Sequence, residues 1–277
     1  MTERTNRQRF RLLAVDMDGT LAGADHRVTP RTVAALAKAE RAGLRTVVVT
    51  GRAYPTALAV WQQAGLSAPL ITCGGALILQ PPELIVVQAT FLPDSVVQET
   101  LRLGSELDLA VSLWTEDTIW MTRLGMPADV LAAVNQMATP TIAPGHRAPI
   151  PYGPMPVLKV MVGAEPGRLD EVADEVLARL TSVTAARSMP QFIEATAPDD
   201  SKRQALSAVL ERLGVSPAET IAIGDGENDV GILTLAGLAV VPANAMPGPR
   251  AVAQRVIGHH DQEAVAEFLE EFLRLRD

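Results

Sequence analysis

LLAVDMDGTL, residues 12–21, sets a four-residue apolar run directly against two carboxylates. An apolar run this short, closed by polar residues, reads as a strand buried on both faces. Asp16 and Asp18 are two residues apart and share a face if the backbone stays extended. In open α/β sheets, ligands bind beyond the carboxyl ends of the strands, so both acids stand where a site is expected. Two carboxylates brought together repel, which invites a divalent cation. Hard oxygen ligands suit Mg²⁺. An ionised aspartate is also a nucleophile that needs no activating base. A second one can give a proton to a leaving group and later take one from water. Asp and Gly are ordinary turn residues as well, but two acids behind a buried strand are costly to keep idle.

On either side of this stretch the pattern alternates. LRTVVV at 44–49 and PLITC at 69–73 read as further buried strands. Between the first two strands, residues 29–42 predict a helix with Thr29 as N-cap, Pro30 at its first position and Gly43 after its end. Residues 53–64 predict a second helix, closed by Gly65. Strand, helix, strand, helix, strand indicates a right-handed parallel α/β unit. After Gly75 the rhythm changes to hairpins mixed with helices, including a hairpin that carries Trp114 and Trp120. A loop with six prolines between Pro140 and Pro156 follows. From 191 the α/β rhythm is expected to return, with QFIEA as its first strand and a helix over 201–213. The expected fold class is therefore α/β: a parallel-sheet core, residues 1–88 and 188–277, interrupted by an α+β insertion at 89–187 with hinges near Thr90 and Ser188.

Three more stretches carry chemistry. Thr50-Gly51-Arg52 stands at a strand end where a helix opens, and a hydroxyl with a glycine amide there can hold phosphate oxygens; a plain helix cap reads as well. Lys202 begins the 201–213 helix, where a cation opposes the helix dipole unless something anionic faces it. Gly224-Asp225-Gly226-Glu227-Asn228-Asp229 follows the strand TIAI and can complete a metal site begun by Asp16. Each stretch reads as following a buried strand and preceding a helix, so the set is expected at one edge of a parallel sheet.

Composition narrows the partners. The 277 residues carry 24 Lys and Arg against 32 Asp and Glu, a net charge of −8. General nucleic-acid binding leans on positive charge, so no nucleic-acid partner is expected. A phosphorylated small molecule stays open, since a local pocket or metal reverses the local sign. The single cysteine, Cys73, forms no internal disulfide and no multi-cysteine zinc site; it reads as a small buried residue. No apolar run approaches the ~18 residues a membrane span needs. The arginine-rich residues 1–11 read as a solvated leader with too short an apolar stretch behind them for a signal peptide. A cytoplasmic protein without a membrane partner, monomer or homodimer, is expected.

DMDGTL, TGR, the lysine of DDSKRQAL and GDGEND together resemble the four ordered motifs of the haloacid-dehalogenase-like (HAD) phosphatase superfamily. The insertion between TGR and the lysine, with ALIL, VLKVMV, FIEA and VVPANA, is similar to the Cof-type branch of sugar-phosphate phosphatases. The resemblance implies a Rossmann-like HAD core with an α+β cap domain that sets substrate specificity. It implies a Mg²⁺-dependent phosphatase acting on a small phosphorylated metabolite, such as a sugar phosphate, through an aspartyl phosphate. Asp16 would be the nucleophile and Asp18 the general acid/base. Thr50, Gly51, Arg52, Lys202 and Asn228 would serve the phosphate. Asp16, the backbone carbonyl of Asp18, Asp225 and Asp229 would serve the metal, Asp229 through water. Two positions depart from the family pattern: Gly74 stands where relatives carry Asn, and Ala243-Asn244-Ala245 replaces Gly-Asn-Ala. A phosphomutase using the same aspartyl phosphate and a non-catalytic binding module are the alternatives; the intact acids speak against the second. A receiver domain would have no use for the second acid or the insertion. Trp114 and Trp120 read as hairpin packing before sugar stacking. His259-His260 reads as a surface loop with diverging rings rather than a metal site.

Overall fold

The computed structural model describes residues 10–116, 118–136, 141–142, 156–198 and 202–275. The first part of the chain holds β1 (Leu12–Val15), α1 (Pro30–Arg41), β2 (Arg45–Val48), α2 (Tyr54–Ala64), β3 (Leu70–Thr72), β4 (Leu77–Gln80) and β5 (Ile85–Ala89). Then come α3 (Asp94–Glu106), β6 (Ala110–Trp114), β7 (Ile119–Met121), α4 (Met126–Val134), β8 (Thr141–Ile142), β9 (Lys159–Gly163), α5 (Pro166–Arg179), β10 (Thr184–Met189) and β11 (Phe192–Thr196). The last part holds α6 (Lys202–Leu213), β12 (Thr220–Ile223), α7 (Val230–Leu235), β13 (Leu238–Val241), α8 (Pro247–Val252), β14 (Arg255–Val256) and α9 (Ala264–Arg274). These form two compact units, one from the chain up to Val87 and from Ser201 on, the other Gln88–Asp200.

In the first unit, a five-stranded sheet runs in the order β14-β13-β12-β1-β2, every neighbouring pair parallel. Leu13, Val15, Ile221 and Ile223 face α1 and α9, whose Leu36, Phe268 and Phe272 close that side. Leu12, Ala14, Val47 and Ala222 face the other way, toward Leu206 and Val209 of α6 and Ile232 of α7. Both faces are covered, which is why these strands read as unbroken apolar runs. Each large side chain so buried contributes about 1.5–3 kcal/mol. Helix boundaries follow the sequence. Thr29 caps α1 by accepting from the Thr32 amide, with Pro30 at the first position. Gly65 ends α2 in the left-handed conformation, φ +62°. Beyond Gly75 the chain turns into β4, antiparallel to β3, with β5 next to it.

The second unit is a six-stranded sheet in the order β10-β11-β9-β6-β7-β8. Helices α3 and α5 pack on one face, where Val97, Leu103, Leu169 and Val176 meet Val111, Val160 and Ile193. This corrects the insertion's second boundary. The sequence pattern suggests an end at Arg187 with QFIEA in the core, but β11 pairs antiparallel with both β10 and β9, so the unit runs on to Asp200. A short apolar run reads alike in either sheet, and only its distant pairing partners decide. The Pro-rich stretch 140–156 lies almost wholly outside the described residues, as do residues 1–9, most of the leader. Trp114 is buried in the sheet, its Nε1 donating to Ser112 Oγ at 3.0 Å. Trp120 packs against the unit's core cluster.

Candidate active site

Register builds the site. Val15 of β1 lies beside Ile223 of β12 and Val48 of β2. The residues that follow therefore leave the sheet at one edge: Asp16 from β1, Thr50 from β2, Gly224 and Asp225 from β12. The backbone continues the ladder to that edge, Asp16 N donating to Ile223 O at 2.9 Å and Val49 N to Val15 O at 2.9 Å. Lys202 comes from the first residue of α6, not from the end of a core strand.

The structure brings Asp16, Lys202 and Asp229 together out of solvent. Lys202 Nζ donates to Asp16 Oδ1 at 2.6 Å and to Asp229 Oδ1 at 2.7 Å. Their exposures are 5% for Asp16, 3% for Lys202 and 1% for Asp229. Burial pushes Asp16 well above the ordinary carboxylate range, aided by the charges of Asp229 and Asp18 and opposed by Lys202. Burial works against the Lys202 ammonium, but the carboxylates on either side outweigh it and raise its pKa. One buried positive charge against two negative ones leaves a deficit that a second cation can fill.

Asp225 completes the acidic group. Ligand oxygens of Asp16, Asp225 and Asp229 lie within 4.8 Å of one another. Burial raises Asp225 to about 6, with Asp229 adding to the shift and the Thr20 hydroxyl and Lys202 opposing it. Thr20 Oγ1 donates to Asp225 Oδ1 at 2.8 Å. Asp229 Oδ2 accepts the amides of Asp225 and Gly226 at 3.1 and 3.0 Å, which fixes the turn. Three carboxylates, all hard oxygen donors, with an unbalanced negative charge fit Mg²⁺. Gly19 permits the close approach: its φ is +69°, and a Cβ there would lie 2.2 Å from Asp225 Oδ2.

Asp18 turns elsewhere. Its carboxylate is 42% exposed and accepts from Arg52 Nε at 2.9 Å and Nη2 at 2.6 Å. Burial works against its ionisation, but the hydrogen bonds and charge of Arg52 outweigh it and hold Asp18 below the usual range. The side chain thus stands outside the metal-compatible group, and the Arg52 guanidinium is engaged with Asp18. Thr50 Oγ1 accepts the Arg52 amide at 3.1 Å. A Cβ on Gly51 would meet nothing within 4 Å, so there is space beside this turn. Cys73 N donates to Arg52 O and Gly74 N to Thr50 O, tying the turn to the segment after β3. Gly74 has φ +77°, a conformation that suits glycine and is tolerated by asparagine. Asn228 lies on the exposed side of the turn before α7.

Two contributors went unread in the sequence as site residues. Asn244, after β13, donates through Nδ2 to Gly19 O at 2.8 Å and Asp225 Oδ2 at 3.3 Å, and accepts His260 N at 3.1 Å through Oδ1. Thr20 is the other. Thr20 lies inside DMDGTL, and Asn244 stands in the VVPANA segment that shares in the family resemblance, after another strand end on the same edge. The expectation for His259-His260 is corrected, because the rings lie 4.7 Å apart at 35° instead of diverging, and a nitrogen of each and an Asp261 oxygen lie within 4.8 Å of one another. Loop contacts explain this. His260 Nδ1 lies 2.9 Å from Ala22 O, and Asp261 Oδ1 accepts Ala24 N at 2.9 Å.

The parallel α/β core thus carries Asp16, Thr50 and Asp225 at one sheet edge, where Lys202 from α6 meets Asp16. The chain belongs to the haloacid dehalogenase-like hydrolases, whose family model matches residues 13–269. An HMP-PP phosphatase of Serratia proteamaculans is 30% identical over 272 residues, covering 96% of this chain and 96% of the relative. A pyridoxal phosphate phosphatase of Escherichia coli K12 is 23% identical over 281 residues, covering 94% and 97%. A haloacid dehalogenase-like hydrolase from Bacteroides thetaiotaomicron superposes with a TM-score of 0.84 at 25% identity, covering 95% of this chain and 99% of the other. The protein is thus a phosphatase of the HAD family, a phosphoric monoester hydrolase. No described helix is long and apolar enough to cross a membrane.

Proposed function

We propose that the protein is a Mg²⁺-dependent phosphatase that hydrolyses a small phosphorylated metabolite, such as a sugar phosphate, through an aspartyl phosphate on Asp16. The observation that carries this is the buried Asp16 carboxylate held 2.6 Å from Lys202 at the end of β1. An oxygen of Asp16 attacks phosphorus, and the bond from phosphorus to the leaving oxygen breaks. The leaving oxygen takes a proton from Asp18, which must first bind one from solvent because Arg52 holds its carboxyl below the usual range. Water then attacks the same phosphorus and gives a proton back to Asp18, and the bond to Asp16 breaks, releasing inorganic phosphate. Lys202 neutralises charge on Asp16 and the phosphoryl oxygens, while Thr50, the Gly51 amide and Asn228 orient them. Transfer of this kind depends on positioning and charge neutralisation. Mg²⁺ held by Asp16, Asp225, Asp229 and the Asp18 carbonyl would supply further neutralisation of the phosphate.

Full-length likeness to phosphatases named for HMP-PP and pyridoxal phosphate supports a small phosphorylated substrate. We assign its selection to the insertion, since core loops that address only the phosphate leave the rest of the substrate unread. The test is phosphate release over a panel of sugar phosphates, nucleotides and pyridoxal phosphate. Release is expected with Mg²⁺, to stop with chelator, and to be absent in Asp16→Asn. Transfer of the group back to substrate without free phosphate would indicate a mutase, and no turnover of any panel member would reject the reading.

A further inference from the structure

Arg52 stands in TGR, where the resemblance to the family gives it to the phosphate, yet its side chain is spent on a different task. It is 1% exposed. Nε and Nη2 make a two-point grip on Asp18, one bond to each carboxylate oxygen, at 2.9 and 2.6 Å. Nη1 donates to His26 O at 3.1 Å, so the third face of the guanidinium is tied to the loop that follows DMDGTL. His26 adds its own contact, Nδ1 lying 3.4 Å from Asp18 Oδ1, and it does so from a left-handed backbone with φ +61°. The backbone of Arg52 is anchored too, its amide on Thr50 Oγ1 and its carbonyl on Cys73 N. A buried fork fixed at both ends defines the position and plane of the carboxylate it holds, because guanidinium and carboxylate match two bonds at a time.

We propose that Arg52 is the positioning residue of Asp18, with His26 as its support, and that its part in the reaction is to aim the Asp18 carboxyl group rather than to bind phosphate. The inference rests on the reading of Asp16 as nucleophile and Asp18 as acid/base. It assigns to the third residue of TGR a task separate from that of the first two. Gly51 has open space beside it, while Arg52 reaches across to the neighbouring loop.

Leaving groups separate the two tasks. An alkoxide departing from a sugar phosphate needs the proton that Asp18 gives, whereas 4-nitrophenolate departs without it. General acid assistance is worth about 10²–10⁴-fold. The value of kcat/KM reports on steps up to phosphorylation of Asp16, before water enters. For Asp18→Asn, kcat/KM should fall at least about 100-fold with a sugar phosphate and far less with 4-nitrophenyl phosphate. Arg52→Ala should repeat that unequal pattern, with inhibition by orthovanadate weakened less than about threefold. Arg52→Lys keeps the charge but has no fork, so it should show the same inequality at smaller amplitude. His26→Ala should do so more weakly still. The double variant Asp18→Asn/Arg52→Ala should be no slower with the sugar phosphate than Asp18→Asn alone, since a residue acting through another adds nothing once that one is gone. Circular dichroism and the thermal midpoint of each variant separate misfolding from a chemical effect. Equal losses with both substrates, weakened vanadate inhibition or multiplying losses in the double variant would overturn the proposal and return Arg52 to the phosphate. Loss of neither substrate would overturn it as well. Failure of the parent reading looks different: Asp16→Asn would then keep turning over 4-nitrophenyl phosphate.

Discussion

Lys202→Met removes one charge from a buried group of three and leaves its volume nearly unchanged. In the wild type, Nζ sits between Asp16 Oδ1 and Asp229 Oδ1 at 2.6 and 2.7 Å. Without it, two carboxylates no more than 5% exposed face each other with no cation. Removing one partner from a buried pair costs about 3–5 kcal/mol, because the partner stays behind uncompensated. For a chain of this size each kcal/mol lowers the thermal midpoint by roughly 2–4 °C, so metal-free Lys202→Met should melt roughly 6–20 °C lower. The pH dependence has a definite sign. Lys202 has a raised pKa in the folded state, so its contribution is fully present below the ordinary lysine range and constant across the assay. Asp16 also has a raised pKa, so its ionisation costs stability as pH rises. Protonating Asp16 removes one of the stranded charges, and the gap between variant and wild type should narrow from about pH 8 toward about pH 5. Adding Asp16→Asn to Lys202→Met should recover at least about half of the lost stability. Calorimetry in chelator at several pH values is the assay. An unchanged midpoint at pH 8, or a gap that widens on acidification, would refute the charge accounting.

Gly19→Ala should lower activity and cost more than about 1 kcal/mol by thermal melting, because the new Cβ meets Asp225 Oδ2 at 2.2 Å in a left-handed backbone; wild-type Mg²⁺ response in this variant would count against the tight packing of these two loops. With Asp225 as the proposed Mg²⁺ ligand, raised by burial to about 6, protons should compete with the metal, and apparent Mg²⁺ affinity by calorimetry should weaken by about tenfold per pH unit below about 6; in metal-free protein the stability linked to this group is present at low pH and lost as pH rises through about 6. Exchanging residues 88–200 for the corresponding unit of a relative with another substrate should carry the preference with it, and a preference that stays with the core would assign recognition to the α/β unit.

Much of the core was legible because its physics is local. Four strands buried on both faces announce themselves as apolar runs, and Thr29, Pro30 and Gly65 mark helix ends through hydrogen bonding and backbone conformation. Strand ends then place Asp16, Thr50 and Asp225 at one edge. What stayed hidden depends on pairing across the chain. QFIEA joined the antiparallel sheet of the insertion because β9 and β10 offer it partners. Arg52 could be assigned a neighbourhood from TGR, but the partner its guanidinium chooses, 34 residues away, has no local signature. Asn244 is hidden in the same sense: its bond to Gly19 O spans 225 residues of chain.

The residue that carries the phosphoryl group during turnover decides whether Asp16 is the nucleophile. Wild-type enzyme is mixed with Mg²⁺ and a turned-over substrate, quenched in acid within the first turnover, digested and analysed by mass spectrometry. An acid-stable, hydroxylamine-labile phosphate is expected on Asp16, absent from Asp16→Asn and accumulating in Asp18→Asn if water attack is slowed more than phosphorylation. Phosphate on any other residue, or full turnover by Asp16→Asn, would contradict this.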